Sequence, residues 1–248
     1  MGRIIAVTSG KGGVGKSSVS VQLAFILCQA KQKVLLVDLD AGMRCLDIML
    51  SVSDRLLFDL NDILENEKTL KDVALYPDNY LNLAFVGAPA KEGIDPIKFK
   101  DFLVSVKDDF DFVILDFPAG GVNDIYRALP RYTEALVVCN ADAVSVRDAA
   151  VQGNDLKSLG LLSVRLILNR VNFEVMKKGI TSNIDDIIDK SGIQLIGLIP
   201  QSMEVYLAGC SGVSLNRKSK AYKAIDRIAK RILGNDIPLK NMKKIKGD

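Results

Sequence analysis

The hydrophobic and polar positions of this chain follow two patterns that alternate along its length. Short runs of consecutive apolar residues, such as VLLV at 34–37 and FVIL at 112–115, are typical of strands buried on both faces. Longer stretches between them carry apolar residues three and four positions apart, which predicts helices. Strand alternating with helix indicates right-handed βαβ units. We therefore predict an α/β fold: a doubly wound, mainly parallel sheet with helices on both faces.

The pattern locates the individual elements. Seven strands are predicted, at residues 3–8, 33–38, 81–86, 111–116, 134–140, 164–169 and 195–200. The helical segments predicted between them include residues 16–30, 96–109, 145–159, 181–190 and 218–233. Ligands of such sheets bind at the carboxyl ends of the strands, so we expect the chemistry to follow residues 8, 38, 116, 140, 169 and 199.

A glycine-rich loop, GKGGVGKSS at residues 10–18, joins the first strand to the first helix. Its glycines allow backbone amides to converge on an anion, Lys16 can reach the β- and γ-phosphates of a nucleotide, and the Ser17 hydroxyl can bind Mg²⁺. The alternative is a plain glycine-rich turn. The loop predicts binding of a nucleotide and Mg²⁺ through Gly10, Lys11, Gly12, Gly13, Val14, Gly15, Lys16, Ser17 and Ser18.

Carboxylates follow two of the predicted strands. Asp38 and Asp40 come at the end of the second strand, and Asp116 closes the fourth, ahead of the loop Phe117-Pro118-Ala119-Gly120-Gly121. A carboxylate at a strand end beside a bound triphosphate can hold the water shell of the metal or orient the attacking water. Acidic residues also end strands or cap helices for structural reasons, and PAGG could be a simple turn. We predict that Asp38 and Asp116 serve the metal.

Asn169 and Arg170 are predicted to end the sixth strand, and Pro200 the seventh. The amide of Asn169 offers both a donor and an acceptor, which complements the edge of adenine, and backbone groups near Pro200 could frame the base. An Asn at a strand end is more often just a turn residue. Because the ends of these strands are expected at the same edge of the sheet as the phosphate loop, these three residues predict a site for the nucleotide base.

Composition narrows the class of protein. The chain has 48% hydrophobic and 25% charged residues, no histidine, and four cysteines without a C-x-x-C pair. This is ordinary for a globular protein and does not suggest a zinc, iron–sulfur or disulfide framework. No apolar run approaches the length of a membrane span, and the N-terminus opens directly into a strand. We expect a cytoplasmic protein with one α/β nucleotide-binding domain at residues 1–236.

The remaining segment, residues 237–248, is basic and weakly amphipathic. The last eleven residues hold four lysines against one aspartate, which equals the net charge of +3 for the whole chain. Leu239, Met242 and Ile245 would share one face of a helix that forms on contact with an anionic membrane. One such tail would bind weakly, because the entropy lost on ordering it offsets most of the free energy gained. The alternative is a disordered, lysine-rich terminus.

Several of these segments together resemble the MinD/ParA family of deviant-Walker ATPases, most closely its MinD members. They are RIIAVTSGKGGVGKSS, VDLDAGMRCLD, FVILDFPAG, SVRD at 145–148, ILNR and LIGLIP. The resemblance implies a P-loop NTPase fold and two ATP molecules held between two subunits. It implies that Lys11 crosses the dimer interface to the partner's phosphates, Lys16 binds the phosphates and Ser17 the Mg²⁺. By the same likeness Asp40 orients the hydrolytic water, Asp116 holds the outer shell of the metal, and Asn169 binds adenine.

The resemblance also implies a function and partners. Such a protein hydrolyses ATP slowly and positions a MinC/MinE-like partner at the membrane during division-site selection, with SVRD at the surface used for dimerisation and for MinC. The chain departs from the family at Phe117, where a small polar residue is usual, and at Gln201-Ser202, where an acidic residue is common. Ala143, Val144 and Ala150, which flank SVRD, are less polar than the residues usual in the family. A FlhG-like flagellar ATPase, a ParA-like DNA partition ATPase and a non-enzymatic ATP-clamped module stay open as alternatives, although DNA binding is less expected. An iron–sulfur scaffold or a tyrosine kinase of this fold is disfavoured.

Overall fold

The computed structural model describes residues 2–90 and 93–239. Its centre is a parallel sheet of seven strands. The strands are β1 (Arg3–Thr8), β2 (Val34–Asp38), β3 (Leu83–Val86), β4 (Phe112–Asp116), β5 (Glu134–Cys139), β6 (Ser163–Val171) and β7 (Gln194–Pro200). Their order is β3-β2-β4-β1-β5-β6-β7, so β1 lies at the centre between β4 and β5. All seven predicted strands and the parallel, doubly wound class are confirmed.

Helices connect the strands on both faces. The longer ones are α1 (Lys16–Gln29), α5 (Pro96–Val106), α7 (Ala143–Ser158), α9 (Ile184–Ser191), α10 (Met203–Ser211) and α11 (Lys220–Ile232). The shorter ones are α2 (Leu46–Met49), α3 (Leu60–Leu64), α4 (Leu70–Val73), α6 (Asp124–Arg127) and α8 (Phe173–Lys177), with a 3₁₀ turn at Ser53–Arg55. Five of the longer helices match predicted segments; α10 and the shorter helices were not predicted.

The sheet separates two hydrophobic layers. Ile4 and Ala6 of β1 face one layer, covered by α3 to α9, while Ile5 and Val7 face the other, covered by α1, α2, α10 and α11. Because successive side chains of a strand point to opposite faces, a strand covered on both sides must be apolar at every position. This is the physical reason for the continuous apolar runs in the sequence.

Several predicted boundaries differ from the observed ones by two or three residues, including the end of α5 at Val106 rather than 109, and local geometry explains two of them. Asn169 and Arg170 do not end β6, because the strand continues to Val171 with an irregular register after Leu168. Arg170 has a φ of 52°, so the regular strand conformation is interrupted here, and both residues lie at the carboxyl edge beside the glycine-rich loop. The helix predicted from residue 181 begins at Ile184, where the side chain of Asn183 accepts a hydrogen bond from the amide of Asp186 and caps it.

The predicted tail lies almost wholly outside the described residues, since Lys240, Met242, Lys243, Lys244, Ile245 and Lys246 all fall at 240–248. Leu239, the last residue described, is 43% exposed. The division of the chain after residue 236 therefore stays a prediction. Within residues 2–90 and 93–239, no helix has both the length and the apolar character needed to cross a bilayer.

Candidate nucleotide-binding site

The glycine-rich loop meets α1 at the carboxyl edge of the sheet. Gly15 caps the N-terminus of α1 with a φ of 88°, in the left-handed region that side chains disfavour. A Cβ at Gly15 would also lie 2.4 Å from Nδ2 of Asn169. Space and backbone conformation therefore both require glycine here. The free amides at the start of this 14-residue helix, together with its dipole, form a cradle for an anion.

Behind the loop, three side chains of α1 converge on Asp116 at the end of β4. Lys16 Nζ lies 2.8 Å and Ser17 Oγ 2.7 Å from Asp116 Oδ2. Ser20 Oγ donates to the other oxygen, Oδ1, at 2.6 Å. Asp116 is fully buried and Lys16 is 6% exposed, so the charge of one neutralises that of the other. Ser20 was missed, although its spacing of four from Lys16 places the two on one helix face.

Asp38 lies directly beside Asp116, because the last residues of β2 and β4 pair in register. Its oxygens accept hydrogen bonds from the amides of Asp40, at 2.9 Å, and Leu46, at 3.4 Å. Burial, and then the neighbouring charge of Asp116, raise the pKa of Asp38 to about 7, against the opposing effect of those amides and of Lys16. The structure thus brings the two predicted metal residues together as a buried carboxyl pair.

Asp40 stands apart from this pair, in the turn that follows β2. Its Oδ1 accepts a hydrogen bond from the amide of Met43 at 3.2 Å, and its backbone oxygen accepts from Met43 and Arg44. The side chain is half-buried rather than enclosed. Asp40 is therefore held in a turn at the mouth of the site, where water has access.

Lys11 extends from the tip of the loop toward α7. Its Nζ lies 3.4 Å from Oδ1 of Asp142, and both side chains remain more than 40% exposed. The same Asp142 oxygen caps α7 by accepting the amide of Ser145 at 2.9 Å. A Cβ on Gly10 would lie 2.6 Å from the backbone oxygen of Asp148, so α7 and the loop are in close contact. Asp142 was not among the predicted site residues.

Asn169, Arg170 and Pro200 lie together beside the loop. Asn169 Nδ2 donates to the oxygen of Val14 at 2.8 Å, and Arg170 Nη1 donates to that of Gly13 at 2.9 Å. All three residues line a cavity of about 420 Å³, which the loop itself borders through Gly15 and Ser18. Its other walls come from residues that the sequence did not indicate, Gln201, Ser202, Met203, Val205 and Tyr206, because the helix α10 that carries most of them was not predicted.

Phe117, the departure in the loop after β4, points away from this cavity into the core. Its ring is fully buried and stacks on Tyr126 with centroids 4.0 Å apart. Tyr126 Oη forms a 2.6 Å hydrogen bond with Oγ1 of Thr8, the last residue of β1, and Gln152 of α7 donates to both. The backbone of the same loop is tied to the phosphate loop, since Gly120 N donates to the oxygen of Ser9.

The arrangement fits a nucleotide with Mg²⁺. Ser17 and the two carboxylates supply only oxygen atoms, the ligands that Mg²⁺ prefers, and the cradle at Gly15 has no side chain to fill it. Within the described part of the chain there is no cluster of three or more His, Cys, Asp or Glu side chains that could enclose a metal. A Mg²⁺ ion that is bound by one or two carboxylates and by substrate phosphates does not require one.

Comparison with known proteins agrees with this geometry. A family model described as the CobQ/CobB/MinD/ParA nucleotide binding domain matches residues 5–215. The septum site-determining protein MinD of Bacillus subtilis (strain 168) is 33% identical over 252 residues, covering 96% of this chain and 92% of that protein.

Two solved structures are similar over nearly the full length. The MinC:MinD cell division protein complex of Aquifex aeolicus matches with a TM-score of 0.88 and 30% identity, covering 96% of this chain and 99% of that one. The septum site-determining protein MinD of Pyrococcus horikoshii OT3, complexed with Mg-ADP, matches with a TM-score of 0.81 and 26% identity, covering 96% and 100%.

Proposed function

This chain belongs to the MinD/ParA family of nucleotide-binding ATPases, and we propose that it is a MinD-type switch that dimerises on ATP and positions a partner at the membrane. Its relatives are cell-division site-determining proteins. The single observation that carries the proposal is the pair of loop lysines in different settings. Lys16 is buried against Asp116, while Lys11 is exposed at the tip of the loop.

Nucleotide binding is assigned to the loop and the adjoining cavity. The amides of Gly10, Gly12, Gly13, Val14 and Gly15, with Lys16, Ser17 and Ser18, would hold the phosphates of ATP. Lys16 must release Asp116 to reach them, and its buried amine would then neutralise phosphate charge instead. Asn169, Arg170 and Pro200 would receive the adenosine part, because they line the cavity next to the loop.

Hydrolysis is assigned to groups at the same edge. Ser17, Asp116 and Asp38 would hold Mg²⁺, which supplies charge stabilisation at the phosphates when it is bound. Asp40 would orient the attacking water, since its half-buried carboxylate sits in the turn beside Asp38 and is open to solvent. Phe117 is buried in the core, so it leaves the nucleotide side of its loop free and gives no reason to expect a catalytically silent protein.

Dimerisation is assigned to Lys11. Among the residues that the structure describes, Lys11 pairs with the exposed Asp142 of the same chain at 3.4 Å, a contact that contributes little because water screens both groups. A partner's phosphates would be a stronger attraction for the ammonium. Lys11 can therefore move from Asp142 to the phosphates of a second copy at small energetic cost.

The partner surface is assigned to α7, which lies against the phosphate loop. Arg147 of the SVRD segment is 79% exposed on this helix, while Ser145 and Val146 are buried. A MinC- or MinE-like protein would bind there, by analogy with the MinC:MinD complex of Aquifex aeolicus. The protein would be cytoplasmic, and in the ATP-bound dimer two C-terminal tails would attach it to anionic lipid.

Light scattering with a hydrolysis-resistant ATP analogue and Mg²⁺ tests the switch. We expect the wild type to dimerise and Lys11→Ala to remain monomeric while still binding the analogue. Asp142→Asn is the matched control, because asparagine also caps a helix but removes the intramolecular partner of Lys11. This variant should still dimerise. A Lys11→Ala protein that dimerises normally would contradict the proposal, as would a wild type that stays monomeric.

A further inference from the structure

The charge of the chain is divided sharply between two parts. Residues 217–239 hold seven basic side chains against two acidic ones, and residues 240–248 hold four against one, so the last 32 residues carry +8. The net charge of the chain is +3, which leaves −5 on residues 1–216. An anionic surface therefore attracts the C-terminal end of this protein more strongly than the rest of the chain.

Part of this charge lies on an outward face of α11. The buried side of α11 packs on β7 and α1 through residues such as Ile225 and Ile228. Lys223 and Lys230 are exposed and Arg227 is half-buried. These three are spaced four and three residues apart, so they form one row along the helix. We call this row the basic face.

The only acidic side chain of α11, Asp226, borders this row and pairs with Lys230 at 2.7 Å. An exposed ion pair of this kind is weak, so Lys230 can still interact with a dense array of anions. Burial, and to a smaller extent the charge of Arg227, lowers the pKa of Arg231 one helical turn away.

Arg231 connects the basic face to the segment that follows. Its guanidinium donates to the oxygen of Ile196 in β7 at 2.7 Å and to those of Ile237 and Pro238 at 2.8 and 3.0 Å. The start of the tail is thus held against the end of α11, next to Lys230. This end lies at the amino edge of the sheet, because Arg3, the first residue of β1, bonds the oxygen of Ile232. The nucleotide site is at the opposite edge.

We propose that the basic face of α11 (Lys223, Arg227 and Lys230) is a second contact with anionic lipid headgroups, continuous with the C-terminal tail. The inference rests on the membrane attachment proposed above and extends it from the tail to the folded domain. Lipid is favoured over nucleic acid as the occupant because the helix that carries the row is followed in the chain by Leu239, which is 43% exposed, and then by Met242 and Ile245. Apolar side chains gain free energy by inserting into lipid, whereas a phosphate backbone offers them nothing comparable.

The arrangement has a consequence for orientation. A tail alone would leave the domain free to rotate about its attachment point. The Arg231 clamp and the basic face together would place the outer side of α11 toward the bilayer. The phosphate loop, at the carboxyl edge of the sheet, and α7, on its other face, would then remain open for a second copy and for a partner.

Co-sedimentation with vesicles tests this in the full chain. The variant Lys223→Gln/Arg227→Gln/Lys230→Gln lowers the net charge from +3 to 0 and keeps good helix formers. The control Lys177→Gln/Lys178→Gln/Lys190→Gln makes the same change with exposed lysines at the C-terminal ends of α8 and α9, on the other face of the sheet. Binding is measured with ATP and Mg²⁺, on phosphatidylcholine vesicles with and without phosphatidylglycerol. Urea unfolding and ATP binding verify that both variants are folded.

We expect the α11 variant to bind the anionic vesicles on the order of 100-fold more weakly than the wild type, since each of its three basic residues contributes roughly fivefold near such a surface. The control should bind within about twofold of the wild type. The difference should vanish at about 0.5 M salt, where charges are screened over a few ångströms.

Other outcomes overturn the inference. If deleting residues 240–248 abolishes binding while the α11 variant binds normally, the tail alone is the anchor and the membrane proposal survives without the basic face. Equal weakening by the control would assign the effect to net charge. Loss of DNA binding with unchanged vesicle binding in the α11 variant would assign the basic face to nucleic acid. A wild type that never binds anionic vesicles would remove the membrane proposal and this inference together.

Discussion

The buried carboxyl pair should be visible as a pH dependence of stability, and Asp38 is the group that reports it. Burial and the charge of Asp116 raise the pKa of Asp38 from 3.8 to about 7. A carboxyl with a higher pKa in the folded than in the unfolded chain binds its proton more tightly when folded. It therefore adds stability at low pH and loses that contribution as the pH rises through about 7. We predict that the contribution of Asp38 to the free energy of unfolding of the nucleotide-free protein falls as the pH rises from about 5 to about 8.

The magnitude follows from the two pKa values. At pH of about 5 the carboxyl is protonated in the folded chain and mostly ionised in the unfolded one, and this difference persists until the pH reaches the folded pKa of about 7. Each pH unit in that window lowers the free energy of unfolding by about 1.4 kcal/mol, or on the order of 3 kcal/mol in total. Asp38→Asn abolishes this contribution. Asparagine keeps an oxygen that accepts from the amide of Asp40. The substitution itself should therefore lower the free energy of unfolding by about 1 kcal/mol, by the same amount at every pH.

Urea unfolding across this pH range, with EDTA and without nucleotide, measures the effect. The free energy of unfolding of Asp38→Asn should rise relative to that of the wild type by on the order of 3 kcal/mol from the lowest to the highest pH. Asp54→Asn, which replaces an exposed carboxyl near the same segment, is the control and should follow the wild type. Parallel pH curves for wild type and Asp38→Asn would refute the reasoning.

Three further predictions concern single contacts. Tyr126→Phe removes a buried hydroxyl that bonds Thr8 and Gln152, and should lower the free energy of unfolding by about 1–3 kcal/mol in urea titrations; a neutral effect would mean that water replaces the hydroxyl. Gly15→Ala should abolish binding of a fluorescent ATP analogue, because the new Cβ would lie 2.4 Å from Asn169 Nδ2 and the backbone φ of 88° disfavours a side chain. Gly121→Ala is the control and should bind the analogue normally, because a Cβ at that position would have no atom within 4 Å. In Arg231→Lys, the lysine lacks the planar fork of donors that contacts three carbonyl oxygens in the wild type. Chymotrypsin should therefore cleave after Leu239 faster in this variant than in the wild type. Equal cleavage rates would show that Arg231 does not restrain the chain.

The sequence indicated the strands well because a strand buried on both faces must be apolar at nearly every position. Runs such as VLLVD and FVILD therefore identified β2 and β4 directly. Five short helices were not predicted, because four or five residues cannot display a helical period: α2, α3, α4, α6 and α8. Helices this short depend on caps and packing for their stability. The nine-residue α10 was missed as well, and with it most of one wall of the cavity.

What the sequence determined by itself is local: the glycine loop between a strand and a helix, the carboxylates at strand ends, and the basic C-terminus, each of which depends on neighbouring residues. The tertiary structure decided which of these groups meet. Strand order placed β4 next to both β1 and β2, so Asp116 contacts Lys16 and lies beside Asp38. It also brought Asp142 to Lys11, turned Phe117 into the core, and fixed the start of the tail against α11. Contacts between residues a hundred positions apart depend on how strands are ordered and faces are packed, and no local pattern encodes that order.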